Sequence, residues 1–157
     1  MVTRSLKARA IAALARREHS RQQLARKLSQ HAESPEALDA VLDELTQKGF
    51  LSDTRFAQAL VRIRGARYGV ARLALELREH GVSPQCAQEA LEPATSSELA
   101  RAHAVWLRRF GCPPESLEER ARQSRFLMSR GFAPDALRRL AAANFEPPDN
   151  GLAEVSD

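Results

Sequence analysis

Three clusters of basic side chains hold most of this chain's chemical potential, and 21 of its 24 basic residues are arginine. Arg16, Arg17, Arg21, Arg26 and Lys27 form the first cluster, within an N-terminal stretch (residues 1–30) of net charge +7. Arg62, Arg64, Arg67 and Arg72 bracket a turn at Tyr68-Gly69. Arg120, Arg122, Arg125 and Arg130 form the third. A guanidinium offers a planar fork of donors that matches phosphate and carboxylate oxygens. The chemistry on offer is therefore anion binding, to nucleic-acid phosphates or to an acidic protein surface. The residues expected to make such contacts are Arg16, Arg17, Arg21, Arg26, Lys27, Arg62, Arg64, Arg67, Arg72, Arg122 and Arg125. Tyr68 beside Arg67 could stack an unpaired base. For each cluster the competing expectation is a solvated surface, and for Tyr68 it is packing at the turn.

Catalytic patterns are missing. The four histidines form no H-E-x-x-H pair, and neither G-x-x-x-x-G-K-[ST] nor G-x-G-x-x-G occurs. There is no G-x-S-x-G elbow. Glu118 and Glu119 are adjacent, so on a helix they diverge by about 100° and are poorly placed to share a proton. His103 lies on an apolar stripe with Trp106 and reads as a satisfied core histidine. The expectation is a protein that is not an enzyme, with no metal and no cofactor.

These clusters must be held by helices. The chain has 27 Ala and 20 Leu against 7 Val, 2 Ile and 4 Thr, a composition that favours helix over strand. A phrase recurs at steps of 49 and 50 residues: Ser34-Pro35, Ser83-Pro84 and Ala133-Pro134 each open a segment ending in a pair of apolar residues. A fixed period of this size marks repeat architecture. Stepping back six residues from each start gives Leu28, Leu77 and Leu127; stepping back ten gives Leu24, Leu73 and Gln123. The likeness of Lys48-Gly49-Phe50 to Arg130-Gly131-Phe132 falls out of this register and reads as shared helix-stop chemistry only.

The fold class expected is all-α: three tandem three-helix repeats forming an elongated, curved helical array. The boundaries read as 1–50, 51–93 and 94–145, with a disordered acidic tail over 146–157. Ser20 with Gln23 fits a capping box. Each Pro of the phrase sits at a first helical position, where a missing N–H costs nothing. Phe56, Leu60 and Ile63 should face the core, as should Leu99, His103, Trp106, Leu107 and Phe110. Residues 92–97 read as a linker.

Net charge is +4, yet residues 1–145 carry 24 basic and 16 acidic groups. No segment has the roughly 18–20 apolar residues needed to cross a membrane, and the N-terminus lacks a long apolar stretch typical of a signal peptide. With Cys86 and Cys112 read as buried free thiols, the expectation is a cytoplasmic monomer. Ser20 to Leu28 also reads like part of a helix-turn-helix, so a DNA-binding protein of that type, acting alone, is the alternative.

Several stretches resemble the RecX family of recombination regulators. Ala13-Leu-Ala-Arg-Arg-Glu-His-Ser20 with Leu24-Ala-Arg-Lys-Leu28 looks like the family's opening. Leu42-Asp-Glu-Leu45 and Gly49-Phe-Leu-Ser-Asp-Thr-Arg-Phe-Ala57 are its most specific match. Tyr68-Gly-Val-Ala-Arg-Leu73, with Glu76-Leu77 and Gly81-Val82, is similar to its second repeat. The likeness spans about residues 4–144; Val70 stands where the family often has proline, and Gln123 where it has an apolar residue. The resemblance implies a nine-helix protein that binds the RecA recombinase in the groove of the RecA–DNA filament. It also implies modulation, usually inhibition, of ATP hydrolysis, strand exchange and coprotease action in DNA repair and the SOS response. Contact with single- or double-stranded DNA, weak and nonspecific, is implied as well.

Overall fold

A computed structural model describes residues 3–149, and within them the chain is all-helical with no strand. The elements are α1 (Leu6–Arg16), α2 (Arg21–Leu28), a 3-10 turn (Ser29–His31), α3 (Pro35–Gln47), α4 (Asp53–Arg64), α5 (Val70–Glu79), α6 (Pro84–Ser96), α7 (Glu98–Arg109), α8 (Leu117–Ser129) and α9 (Pro134–Ala142). Pro35, Pro84 and Pro134 each occupy the first position of the third helix of a triplet, as the recurring phrase requires. The register positions Leu24, Leu73, Gln123, Leu28, Leu77 and Leu127 are all buried. The expected tail lies mostly outside the described residues.

Helix starts follow capping chemistry. The hydroxyls of Ser5, Ser20, Ser34 and Ser116 each accept an amide hydrogen bond from the third residue onward, removing an orphan donor. The capping box at Ser20 is only half formed: the Gln23 carboxamide oxygen accepts from Arg17 (3.1 Å) instead of the Gln23 side chain reaching back. The Arg21 amide donates to the Asp53 carboxylate at 2.7 Å. Helix stops repeat as well. The amides of Phe50, Val82 and Phe132 donate to the carbonyls of Leu45, Leu77 and Leu127, five residues back. That is the Schellman arrangement, and the glycine before each has φ between 75° and 86°.

The described chain forms two compact units. One comprises residues up to Ile63 together with Ala74–Leu91; the other comprises Arg64–Leu73 and the residues from Glu92 onward. The core of the first unit is built from Ala10, Ala13, Leu24, Leu28, Leu38, Leu42, Leu45 and Leu51. Small alanines on α1 let α2 and α3 approach closely, which suits packed helices about 8–10 Å apart. The core of the second is Ala102, Val105, Trp106, Leu127, Phe132, Leu137 and Leu140.

Several sequence expectations are corrected. Residues 92–96 are helical rather than linker, because Leu91 and Ala94 are buried at i, i+3 spacing. Ser96 and Ser97 donate their hydroxyls to the carbonyls four residues back, so these residues close the helix end rather than break it. Ile63 is 70% exposed, since the buried stripe of α4 runs through Phe56, Ala57 and Val61. Leu107 is likewise exposed; Ala102, Val105 and Trp106 form the buried face of α7. The thiols are not buried: Cys112 is exposed in a Gly-Cys-Pro-Pro break, and Cys86 is half-buried on the first turn of α6.

His19 is 1% exposed in the first unit's interior. Its Nδ1 lies 3.0 Å from the Arg17 carbonyl, so Nδ1 carries the proton, and Nε2 has no partner. Burial lowers its pKa below the ordinary 6.5; the hydrogen bond to the Arg17 carbonyl opposes this, and the charges of Arg17 and Lys27 add to the lowering. The unfolded chain therefore takes up a proton first as pH falls. The stabilisation from neutral His19 is complete above about pH 6.5 and is lost as pH drops from there toward the folded pKa. Urea denaturation at pH 7.5 and 5.0 should show lower stability at pH 5.0, and His19→Gln should reduce that difference. An undiminished difference in His19→Gln would rule this group out as its source.

Candidate functional site

Packing sorts the basic residues into those that are neutralised and those that are not. In the first unit Arg21 pairs with Asp43 (2.8 Å) and Asp39 (3.6 Å). Arg55 pairs with Glu18 at 3.0 Å and also donates to the Gly49 and Phe50 carbonyls. Lys7 and Lys48 both bond Glu44, and hydrogen bonds from Lys48 and then Lys7 hold that carboxyl at about 2. Arg17 donates to the Glu18 carbonyl and to Gln23. These groups are engaged within the fold, as surface pairs worth little each in stability.

Arg16 and Lys27 behave differently. With Arg4, Arg9 and His31 they line a shallow recess between α1 and α2. Among the described residues none of the four cations Arg4, Arg9, Arg16 and Lys27 is in an ion pair. Arg26 is exposed on α2 and Arg62 on α4.

The second unit carries the denser constellation. Its basis is a backbone contact between the Tyr68-Gly69 turn and the turn joining α8 to α9. The Gly69 amide donates to the Arg130 carbonyl (2.8 Å), and the Ala71 amide to the Gly131 carbonyl (3.2 Å). A Cβ at Gly69 would overlap the Gly131 carbonyl, and one at Gly131 would sit 2.5 Å from the Arg72 Cβ. Arg101 of α7 fixes the turn from the other side. Its guanidinium donates to the carbonyls of Gly65 (2.8 Å), Tyr68 (2.6 Å) and Ala94 (2.6 Å). Glu98 accepts from the Val70 amide at 2.8 Å. A proline there would have no such hydrogen, so Glu98 satisfies the donor that Val70 introduces.

This apposition stacks guanidinium groups and rings. Arg64, Arg130 and Arg72 lie over the Tyr68 ring at 4.5, 5.4 and 5.6 Å from its centroid. Arg130 also lies 5.2 Å from the Phe126 centroid, and Arg109 lies 5.6 Å from it. Such contacts are favourable at about 0.5–1 kcal/mol each when exposed. Beside them, Arg67, Arg108, Arg109 and Arg130 surround a recess of about 360 Å³, with Val105 and Phe126. Arg108 donates to the Ala66 carbonyl at 2.8 Å. None of these four arginines is in an ion pair with a described residue.

The structure thus brings together Arg64, Arg67 and Arg72 of the expected residues, and joins them to Arg108, Arg109 and Arg130. Arg122 and Arg125 are exposed on α8 and do not line the recess. The Arg108-Arg109 pair and the positioning role of Arg101 escaped sequence reasoning. The first could have been found from two adjacent arginines closing an amphipathic helix; the second had no signal. His103 is structural: its Nε2 lies 3.1 Å from the Phe145 carbonyl, beside Trp106. No described helix is long and apolar enough to cross a membrane.

Fold and surface together define a tandem three-helix-repeat protein that presents arginines in open recesses. Family models described as the first, second and third three-helix domains of RecX match residues 7–45, 52–91 and 96–140. The chain is 48% identical over 153 residues to the regulatory protein RecX of Ralstonia pickettii (strain 12J), covering 98% of this chain and 95% of that protein. It is 49% identical over 136 residues to the regulatory protein RecX of Leptothrix cholodnii, covering 87% of each. The crystal structure of RecX from Lactobacillus salivarius superposes with a TM-score of 0.77 at 16% identity, covering 88% of this chain and 94% of that one, a likeness of fold. The chain belongs to the RecX family of regulatory proteins.

Proposed function

We propose that this protein regulates the RecA recombinase, chiefly as an inhibitor, by binding in the groove of the RecA–DNA filament. It modulates ATP hydrolysis, strand exchange and coprotease activity, without catalysis of its own and in the cytoplasm. Family membership supports the regulatory part. The observation that carries the surface part is the set of cations left without carboxylate partners, in one recess of each compact unit. Largely exposed guanidinium forks are available there for charge-assisted bonds to acidic protein groups or to phosphates. Two such surfaces on one chain can engage two places on a filament, which raises avidity without a deep pocket. DNA contributes weak, sequence-independent contacts.

The test is co-sedimentation with preformed RecA–single-stranded-DNA filaments, together with RecA's DNA-dependent ATP hydrolysis. The protein should pellet only with filaments and should slow hydrolysis at substoichiometric amounts. Arg16→Glu with Lys27→Glu should weaken both effects while helicity is kept. No pelleting and no change in hydrolysis would reject the proposal.

A further inference from the structure

We infer that the groove between α8 and α9 is a docking site for an acidic amphipathic peptide segment of a partner protein, which lays an apolar side chain on the groove floor and bridges Arg120 and Arg138 with a carboxylate. The inference goes beyond regulation of the recombinase and uses other arginines; its test needs neither recombinase nor DNA filament, so the two can fail separately.

Three observations carry it. The first is a departure from the repeat. In the register of the recurring phrase, Arg120, Arg138 and Ala142 stand where the first triplet has Arg21, Asp39 and Asp43. In the first triplet the second and third helices are tied by carboxylates: Arg21 of α2 meets Asp43 of α3 at 2.8 Å and Asp39 at 3.6 Å. In the third triplet neither carboxylate is present, and a second cation replaces one of them. Arg120 has no ion pair with a described residue. Arg138 keeps an exposed pair with Asp135 of its own helix at 3.3 Å. An anion from outside restores the bridge that the first triplet builds for itself, and the group that serves there is a carboxylate.

The second is an open apolar floor. A groove of about 350 Å³ runs between the two helices, lined by Met128, Leu137, Leu140 and Phe145 together with Arg120 and Arg138. That volume falls at the small end of ligand sites, which run roughly 300–1,000 Å³. Met128 is half exposed, and Leu117, about three turns earlier on the same face of α8, is 84% exposed. Exposed apolar surface rimmed by charge marks protein interaction sites, and a flexible methionine adapts to the shape it meets. The floor is aliphatic except for Phe145, whose ring stacks on Trp106 at 4.6 Å. It therefore presents methyl and methylene groups rather than a platform for bases. On a helix, an apolar residue and a carboxylate three or four positions apart share one face, which matches a groove with an apolar floor and a basic edge.

The third is pre-organisation. Gln123, which also lines the groove, is fixed by the Trp106 indole at 2.8 Å. The Phe145 amide donates to the Leu140 carbonyl at 2.8 Å. The floor therefore needs little ordering before it binds. Trp106 is the chain's only tryptophan, so its emission reports on what touches Gln123 and Phe145.

The experiment selects a phage-displayed library of random tryptophan-free peptides of about 12 residues, some three helical turns, on the full chain. Enriched peptides should carry Asp or Glu three or four positions from Leu, Ile, Met or Phe. Synthetic copies should shift the Trp106 emission. They should bind Arg138→Asp at least about tenfold more weakly, because the introduced carboxylate engages Arg120 from within, as Asp39 engages Arg21. Arg138→Ala should show a smaller loss. Circular dichroism and thermal melting check both variants; Arg138 is exposed, so neither should unfold the chain. The assignment is overturned if no peptide prefers the wild-type chain over folded Arg138→Asp, if enriched sequences lack a carboxylate, or if a thymidine oligomer displaces them. It is also overturned if a peptide of residues 146–157 binds as tightly as the selected ones, because the occupant would then be this chain's own acidic segment. Self-association of the wild-type chain that Arg138→Asp abolishes, read by sedimentation equilibrium, would make the occupant a second copy and overturn it as well.

Discussion

Gly69→Ala should lower the melting temperature by roughly 6–12 °C, equivalent to about 3 kcal/mol for a chain of this size. The cause is steric. Gly69 lies outside the left-handed region, so alanine meets no intrinsic backbone penalty there. Its Cβ would instead overlap the Gly131 carbonyl and the peptide that follows it. Backbone cannot move aside as the end of a flexible side chain can. Relief requires the Tyr68-Gly69 turn to leave the α8–α9 turn, breaking the Gly69–Arg130 and Ala71–Gly131 hydrogen bonds. Gly49→Ala is the control. Gly49 has φ of 78° but nothing within 4 Å of an added Cβ, so it should cost only the left-handed penalty of about 1–2 kcal/mol. Thermal melts of the two variants decide the matter. A loss at Gly69 no greater than at Gly49 would show that the two turns are not held as described.

Gln123→Leu should destabilise the protein by about 2 kcal/mol, although leucine is what the repeat register leads one to expect there. Gln123 is buried, and its oxygen accepts the Trp106 indole hydrogen at 2.8 Å. Its nitrogen donates to the Cys112 carbonyl at 3.3 Å. Leucine would leave the indole N–H, inside a core that Phe145 closes by stacking 4.6 Å away, without a partner. Replacing both partners removes the orphan. Trp106→Phe combined with Gln123→Leu should therefore cost clearly less than the sum of the single changes, a coupling of about 1–2 kcal/mol. Urea denaturation of the four proteins measures it, and strict additivity would refute the role given to Gln123.

Gln123 also shows what kind of information the sequence carries. The register marked its position as buried, which it is. It could not say why a polar residue belongs there, because the reason is a tryptophan 17 residues away on another helix. The same holds for Val70, whose amide is satisfied by Glu98. The out-of-register echo between Gly49 and Gly131 did reflect shared helix-stop chemistry, with the same five-residue amide-to-carbonyl bond at both ends. Errors arose where turn-forming residues and apolar spacing were read without burial: residues 92–97 looked like a linker although 92–96 are helical, and Ile63 and Leu107 looked like core although both are exposed.

The sequence by itself determined that this protein is helical, where the third helix of each triplet begins and which register positions are buried. Helix propensity, capping hydroxyls, first-turn prolines and 3.6-residue periodicity act over a few residues, so they can be read along the chain. The tertiary structure alone decided which arginines are occupied and which are open. Arg21 meets Asp39 and Asp43, and Arg101 meets Gly65, Tyr68 and Ala94, through contacts that no local pattern encodes. Arg67 shares a recess with Arg108, Arg109 and Arg130 because two turns approach closely enough to need glycine at both Gly69 and Gly131. Charge becomes a binding surface only where folding leaves it without a partner, and that depends on where distant parts of the chain come to rest.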